Sequence, residues 1–186
     1  LVLSMAGAAA AVLLIARDYY RPCALLQQPR KAFTANGNPY TFSEDGLMEN
    51  GNYIAYYVCK SELCAAWPLV SSVPIDSVSD NGYALYYTLV RYLNARGLTK
   101  DSAAVLSLTP SDVRAIERGV ANPYYEESGF LRRTIYAMLF ERDNARLFGN
   151  IRNFSFGERS ELWRCGWQVF LRHPLFGVGT GDGVDQ

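Results

Sequence analysis

The sequence contains few of the residues from which metal sites are built. It has a single histidine, His173, and none of its four cysteines has zinc-finger spacing, so no metal cofactor is expected. Its 18 basic side chains balance 18 acidic ones, so the net charge does not attract nucleic acid, and no nucleic-acid partner is expected. A Cys59–Cys64 disulfide and separate buried thiols are the two alternatives for the cysteines, which also include Cys23 and Cys165.

The beginning of the chain lacks the features of a signal peptide. No methionine and no positively charged segment precedes the apolar run of residues 1–16, in which Ser4 is the only polar side chain. The run is shorter than the about 20 residues that span a bilayer, so we expect residues 1–17 to be the C-terminal part of a truncated transmembrane helix. A buried helix of a soluble domain is the alternative. Tyr19 and Tyr20 would then lie at the membrane interface.

Beyond this segment, the pattern predicts a mainly α-helical extracytoplasmic loop, residues 18–186, with a small β-hairpin. Two Asn-Gly pairs beside aromatic and β-branched residues predict turns within residues 36–58. Pro68 is expected to end a short helix and to begin a loop. Helices are predicted for residues 61–67, 81–98, 108–119 and 129–148.

Leucine spacing and capping residues support two of these helices. Leucines recur every four residues within residues 85–93 and predict one buried face, and Gly97 is expected just past the helix end. Thr109 is expected to cap the next helix, with Pro110 in its first turn and Gly119 at its exit.

The last predicted helix, residues 156–172, is amphipathic, and Ser155 and Glu158 have the spacing of a capping box. Arg159 lies in its first turn on the apolar stripe, four residues before Trp163. The rest of that stripe is Gly166, Trp167 and Phe170, and the polar face holds Glu161, Arg164, Gln168 and Arg172.

Charge is unevenly distributed along the chain. Between Arg132 and Arg172 there are eight arginines, no lysine and four acids, which favours recognition of phosphate or carboxylate by paired hydrogen bonds. Solvated helix faces are the alternative explanation. Between Glu44 and Asp80, six acids stand against one lysine, and the sequence does not indicate their role.

A run of alternating glycines follows the last helix. Gly177, Gly179, Gly181 and Gly183 come after a helix and Pro174 rather than after a strand, and no Gly-Lys-Ser/Thr sequence ends the run. Neither a dinucleotide loop nor a P-loop is therefore expected. Such a run is suited to a sharp turn or to close approach of the backbone to another element.

The segment "ERSELWRCGWQVFLRHPLFGVGTGDG" resembles the O-antigen ligase family, the Wzy_C-type bacterial membrane glycosyltransferases. The resemblance is carried by Arg159, Trp163 and the "PLFGVGTG" turn, which begins at Pro174 and includes Gly177, Gly179 and Gly181. Upstream segments are similar to the large periplasmic loop of Bacteroidetes-type members, so that the resemblance covers residues 36–182.

This resemblance implies a metal-independent enzyme of the bacterial inner membrane, with the loop facing the periplasm. It would move a glycan from an undecaprenyl-diphosphate carrier onto lipid A–core or another glycan acceptor. The catalytic histidine of the family would lie downstream of this chain, so the isolated chain is expected to be inactive. An O-antigen polymerase, a protein O-oligosaccharyltransferase of the same family, and a non-enzymatic membrane-anchored glycan-binding module are the alternatives.

Among the residues present, Arg159 is the candidate for binding the carrier diphosphate, because guanidinium and a helix N-terminus both stabilise phosphate. An ion pair with a neighbouring glutamate is its alternative role. Arg152 and Arg164 are the next candidates. Trp163 is expected to pack against a neighbour or the membrane interface, and His173 to be a helix-end residue rather than the catalytic base.

Overall fold

Helices account for most of the structure, as the sequence predicts, and the strands are short. The computed structural model describes residues 2–21, 30–44, 46–126, 128–145 and 155–172. The chain divides into two compact units, Leu1–Leu147 and Phe148–Gln186. The mainly α fold with a small hairpin is therefore confirmed.

Short antiparallel strands occupy the predicted hairpin region. They are β1 (Thr41–Phe42), β2 (Met48–Glu49), β3 (Asn52–Tyr53) and β4 (Tyr56–Val58), and β2 pairs with β3 while β1 pairs with β4. Asn50 and Gly51 join β2 to β3 with φ angles of 54° and 74°, the left-handed conformation that tight Asn-Gly turns require. The second Asn-Gly pair of the sequence therefore forms the turn that its residues predict.

The helices of the first unit include those that the sequence predicts and two short ones, Ser102–Leu106 and Pro123–Glu126, that it does not. They are α1 (Val2–Tyr19), α2 (Lys60–Ala66), α3 (Leu85–Ala95), α4 (Ser102–Leu106), α5 (Pro110–Glu117), α6 (Pro123–Glu126) and α7 (Phe130–Asn144). α2 ends at Ala66, just before Pro68, as predicted. The loop expected from Pro68 onward begins later, because Trp67–Leu69 forms a 3-10 turn whose early position tolerates proline. The helix predicted for residues 129–148 begins at Phe130 and ends at Asn144.

The main core of the first unit is built around α3. Leu85, Leu89 and Leu93 are fully buried, as their four-residue spacing predicts. Each such side chain stabilises the fold by about 1.5–3 kcal/mol relative to exposure. They share one core cluster with Trp67, Val105 and Ile116 from the neighbouring elements.

Capping residues lie at the predicted helix ends, Thr109 at the start of α5 and Gly97 after the end of α3. Thr109 and Asp112 form a capping box at the start of α5, where the Thr109 N–H donates to Asp112 Oδ2 at 2.9 Å. At the end of α3, Gly97 has a φ of 68°, and the Leu98 N–H donates to the Leu93 carbonyl at 2.9 Å. This is the Schellman arrangement, which satisfies carbonyls that the helix leaves free.

The C-terminal end of α1 packs against α7. Asp18 and Arg132 form an ion pair of 3.2 Å, and the rings of Tyr19 and Tyr136 meet edge to face with centroids 5.2 Å apart. Tyr19 is thus buried within the first unit rather than lying at a surface, because an aromatic ring from α7 covers it. Its predicted place in an interfacial belt is wrong.

The part of α1 before this contact is apolar and exposed at Leu13 and Leu14. In the portion of the chain that the structure describes, no helix combines the length and the apolar character needed to cross a membrane. The helix predicted at the start of the chain is present, and its membrane location stays a prediction.

The thiols of Cys59, Cys64 and Cys165 are free, so the Cys59–Cys64 disulfide is not formed. Cys59 is buried and Cys64 is half-buried, but Cys165 is exposed, which corrects the expectation that all the thiols are buried. Cys23 lies outside the described residues.

Gly119, at the exit of α5, tests how closely the end of this helix packs against Ser79 and Asn81. Its φ is 90°, and a methyl group added there would lie 2.8 Å from Ser79 Oγ and 2.9 Å from Asn81 Cβ. Gly119→Ala should lower the free energy of unfolding by about 2–4 kcal/mol, since left-handed strain and a close contact add together. Urea denaturation measures this free energy.

Gly82→Ala is the matched control, because Gly82 has a similar φ of 79° but no atom within 4 Å of the added methyl group. It should lower the free energy of unfolding by about 1 kcal/mol, because only the backbone strain of the left-handed conformation applies there. Equal losses in the two variants would show that the contact with Ser79 and Asn81 is not tight.

Candidate functional site

The second unit contains α8 (Ser155–Arg172), the helix that carries the Arg159 and Trp163 part of the motif. It begins one residue earlier than predicted and ends at the predicted residue, Arg172, two positions before Pro174. Arg159 is consequently the fifth helical residue and follows the first turn rather than lying within it. It remains near the N-terminal end of α8, where free N–H groups favour anions.

An exposed aromatic face distinguishes α8. Trp163 is 78% exposed, Trp167 is 61% exposed and Phe170 is 51% exposed. The rings of Trp167 and Phe170 stack with centroids 5.4 Å apart. We call these three side chains the α8 aromatic face. Their helical spacing agrees with the predicted apolar stripe.

Of the predicted site arginines, only Arg164 has a side chain within the described part of the structure. Arg164 is exposed on α8. For Arg159, the backbone position is described but the side chain lies outside the described residues, so neither phosphate binding nor a glutamate pair is tested. The motif residues Arg152, His173, Pro174, Gly177, Gly179 and Gly181 also lie outside them.

A buried polar cluster in the first unit was not predicted. Glu49, on β2, has no exposed surface, and Arg91 of α3 donates to its two carboxylate oxygens from Nε and Nη2, both at 3.0 Å. Asn122 Nδ2 donates to Glu49 Oε1 at 3.0 Å and to Asn50 Oδ1 at 2.9 Å. A paired, fork-shaped contact of this kind is the geometry in which arginine binds carboxylate most strongly.

The same cluster extends to a buried lysine. Lys100 has no exposed surface, and its Nζ donates to the Tyr56 carbonyl at 2.9 Å and to Asn94 Oδ1 at 2.8 Å. Asn94 Nδ2 in turn donates to the Glu49 carbonyl at 3.0 Å. A neutral amine has two N–H donors, which these two acceptors satisfy, whereas an ammonium would retain a third. Burial lowers the pKa of Lys100 to about 7.

A second buried carboxylate, Glu62 of α2, receives hydrogen bonds rather than an ion pair. Asn38 Nδ2 donates at 2.8 Å, and the N–H and hydroxyl of Ser102 donate at 3.0 and 2.7 Å. Burial acts to raise the pKa of Glu62, but hydrogen bonds from Asn38, Thr34 and Ser102 outweigh it and lower the pKa to about 2. Glu62 and Glu49 thus give part of the acidic segment a structural role.

A surface groove of about 560 Å³ lies between α5 and the loop before α3. Its lining carries both signs of charge, with Arg114 and Arg118 beside Asp80 and Glu117. Glu117 accepts a hydrogen bond from Ser71 at 2.5 Å, and Arg118 pairs with Glu126 at 3.5 Å. Since the lining carries two basic and two acidic side chains, the groove shows no preference for a ligand of one sign.

Only an indirect signal for the buried cluster is present in the sequence. Glu49 directly precedes the Asn-Gly turn, and Arg91 lies within a helix whose leucines are buried, but the two are 42 residues apart. Neither residue belongs to a motif, so only the packing of the hairpin on α3 brings them together. The cluster lies in the interior of the first unit, whereas the described side chains of α8 are exposed.

Neither a protein-family model, nor a curated protein, nor a solved structure matches this chain. Its membership of the O-antigen ligase family therefore stays a prediction from the motif on α8 and the segments before it.

The Glu49–Arg91 pair should be important for stability. Glu49→Gln should lower the free energy of unfolding by about 2 kcal/mol, because a buried amide NH2 group would replace an oxygen that accepts from Arg91 or Asn122. The Arg91 side chain is 37% exposed, so water compensates part of its lost charge pairing. The matched control is Glu44→Gln, which breaks an exposed pair with Arg30 of 2.9 Å and should lower this free energy much less, because water screens both charges. Similar losses in chemical denaturation would contradict this assignment.

Lys100 should make stability depend on pH. The pKa of Lys100 is about 7 in the folded chain and about 10.4 in the unfolded chain. Between these two pH values, the unfolded chain therefore binds more protons than the folded chain. The free energy of unfolding should therefore rise by about 2 kcal/mol between about pH 7 and pH 9. Denaturation at both pH values should show this rise in the wild type and in Lys60→Met, which changes an exposed lysine, but not in Lys100→Met. An equal rise in all three would contradict the lowered pKa.

Proposed function

We propose that this chain is the periplasmic loop region of an O-antigen ligase-like membrane glycosyltransferase. The enzyme would transfer a glycan from undecaprenyl diphosphate to lipid A–core. The observation that carries the proposal is the motif that starts on α8, with Arg159 and Trp163 four residues apart on one helix and the "PLFGVGTG" segment after it. The helical character of the loop agrees with it.

Arg159 is the residue through which the loop would act on the donor. Transfer from a diphosphate carrier leaves negative charge on the departing phosphate, and the proposed enzyme uses no metal to compensate it. A guanidinium stabilises that charge with two parallel hydrogen bonds, and the N-terminal end of a helix adds a partial positive charge. Arg159 combines both features, because it lies near the N-terminal end of α8.

The membrane part of the proposal concerns α1, which would be the end of a transmembrane helix. It is uncharged before Arg17, and its exposed Leu13 and Leu14 would contact lipid. Its other end is held by the Asp18–Arg132 ion pair, so the helix would lead directly from the bilayer into the first unit. The transfer of the glycan from the diphosphate carrier would take place at the outer face of the inner membrane.

The test replaces Arg159 by alanine in the complete membrane protein and measures glycan-capped lipid A–core in a host that lacks its own ligase. Capping should fall at least about 100-fold, the effect of removing a group that stabilises charge in the transition state. Arg159→Lys should recover only part of the activity, because lysine does not form paired hydrogen bonds with phosphate.

The control is Arg133→Ala, which removes an exposed arginine of α7 in the first unit and should leave capping unchanged. Unchanged capping in Arg159→Ala at normal expression would remove Arg159 from the donor site. Altered glycan length without capping would favour the polymerase instead.

A further inference from the structure

We propose that α8 lies flat on an anionic lipid surface, with the α8 aromatic face inserted at the boundary between head groups and acyl chains. The inference rests on the proposed function in one respect, the membrane location. It adds a contact that neither the motif nor diphosphate binding requires, namely that α8 itself binds lipid along its length.

The first argument is the distribution of side chains around the helix. At 100° per residue, Trp163, Trp167 and Phe170 fall within an arc of about 60°. Leu162 and Val169 extend this arc on one side and Leu171 on the other, to about 200° in all. Arg164 and Gln168 lie outside it. The described side chains of α8 thus separate into an apolar face and a polar face, as in helices that lie in the plane of a membrane interface.

The second argument is exposure. Leu162 is 69% exposed, and the three rings of the α8 aromatic face are all more than half exposed. A contiguous apolar surface of this kind marks a site of interaction with a protein or a membrane. Isolated exposed apolar side chains, such as Leu69 in the first unit, need no such explanation.

Residue types and charge indicate lipid as the occupant. Tryptophan is enriched where one end of its side chain contacts an apolar phase and the other contacts water, as at a bilayer interface. A second copy of the helix would instead favour branched aliphatic residues in a heptad pattern. Residues 162–172 carry Arg164 and Arg172 and no acidic residue, so this part of α8 complements anionic head groups.

The positions of the tryptophans make the inference directly measurable. Trp67 is fully buried in the first unit, where its Nε1 donates to the Val73 carbonyl at 2.8 Å. Trp163 and Trp167 are exposed on α8. Any lipid-induced blue shift of tryptophan emission, or quenching by brominated acyl chains, therefore reports on α8 rather than on the core or on α1, which has no tryptophan.

The experiment adds vesicles of phosphatidylethanolamine and phosphatidylglycerol to the whole 186-residue chain. Emission should shift to the blue, and brominated lipid should quench it. Leu162→Gln with Phe170→Gln keeps both reporters but should abolish the shift. Leu69→Gln with Tyr83→Gln, which changes two exposed apolar residues of the first unit, should leave it intact.

Three results would overturn the inference. The chain could sediment with the vesicles while its emission stays unchanged, which would mean that another segment, such as α1, binds the membrane; the proposed function would survive that result. An equal shift with purely zwitterionic vesicles would show that binding does not require anionic lipid. A shift that appears on raising protein concentration without lipid would show that a second copy covers the face.

Discussion

Glu49 places a carboxylate in the interior of the first unit, and groups from distant parts of the chain compensate it. Arg91 contributes from α3, Asn122 from the segment before α6, and Asn94 binds the backbone of the same residue. Removing a carboxylate from water is costly, so this arrangement is stable only when the hairpin, α3 and the segment before α6 occupy their places together. The cluster thereby favours one arrangement of these elements over others with equal apolar burial.

The hairpin is the element that benefits most from this constraint. Its strands are two or three residues long, and an isolated hairpin of that size is marginal in water. Polar contacts hold it in place: Lys100 donates to the Tyr56 carbonyl, and Asn144 of α7 donates to the Met48 carbonyl at 2.7 Å. Part of the acidic segment of the sequence is thus structural, because Glu49 and Glu62 are buried and hydrogen-bonded within the first unit.

Function, in the proposal made here, belongs to the second unit and depends on exposed groups instead. Arginine near the start of α8 would bind a diphosphate, and the aromatic face of the same helix would bind the lipid surface from which that diphosphate projects. Both roles need side chains that the protein itself does not satisfy. This division agrees with the physical rule that buried polar groups must be paired, whereas binding groups must be left available.

Much of the fold was predictable from local signals. The leucines of α3, the capping box at Thr109 and the Asn50–Gly51 turn act within a few residues, so periodicity and turn chemistry suffice to identify them. The candidate arginine and tryptophan of α8 were found in the same way, from a motif and a helical spacing. The sequence by itself therefore determined the longer helices, the caps at Thr109 and Gly97, and the motif, but not the short helices α4 and α6. Only the tertiary structure decided that Tyr19, Glu49 and Lys100 are buried, because their partners are far away in sequence and no local pattern encodes a pairing made by packing.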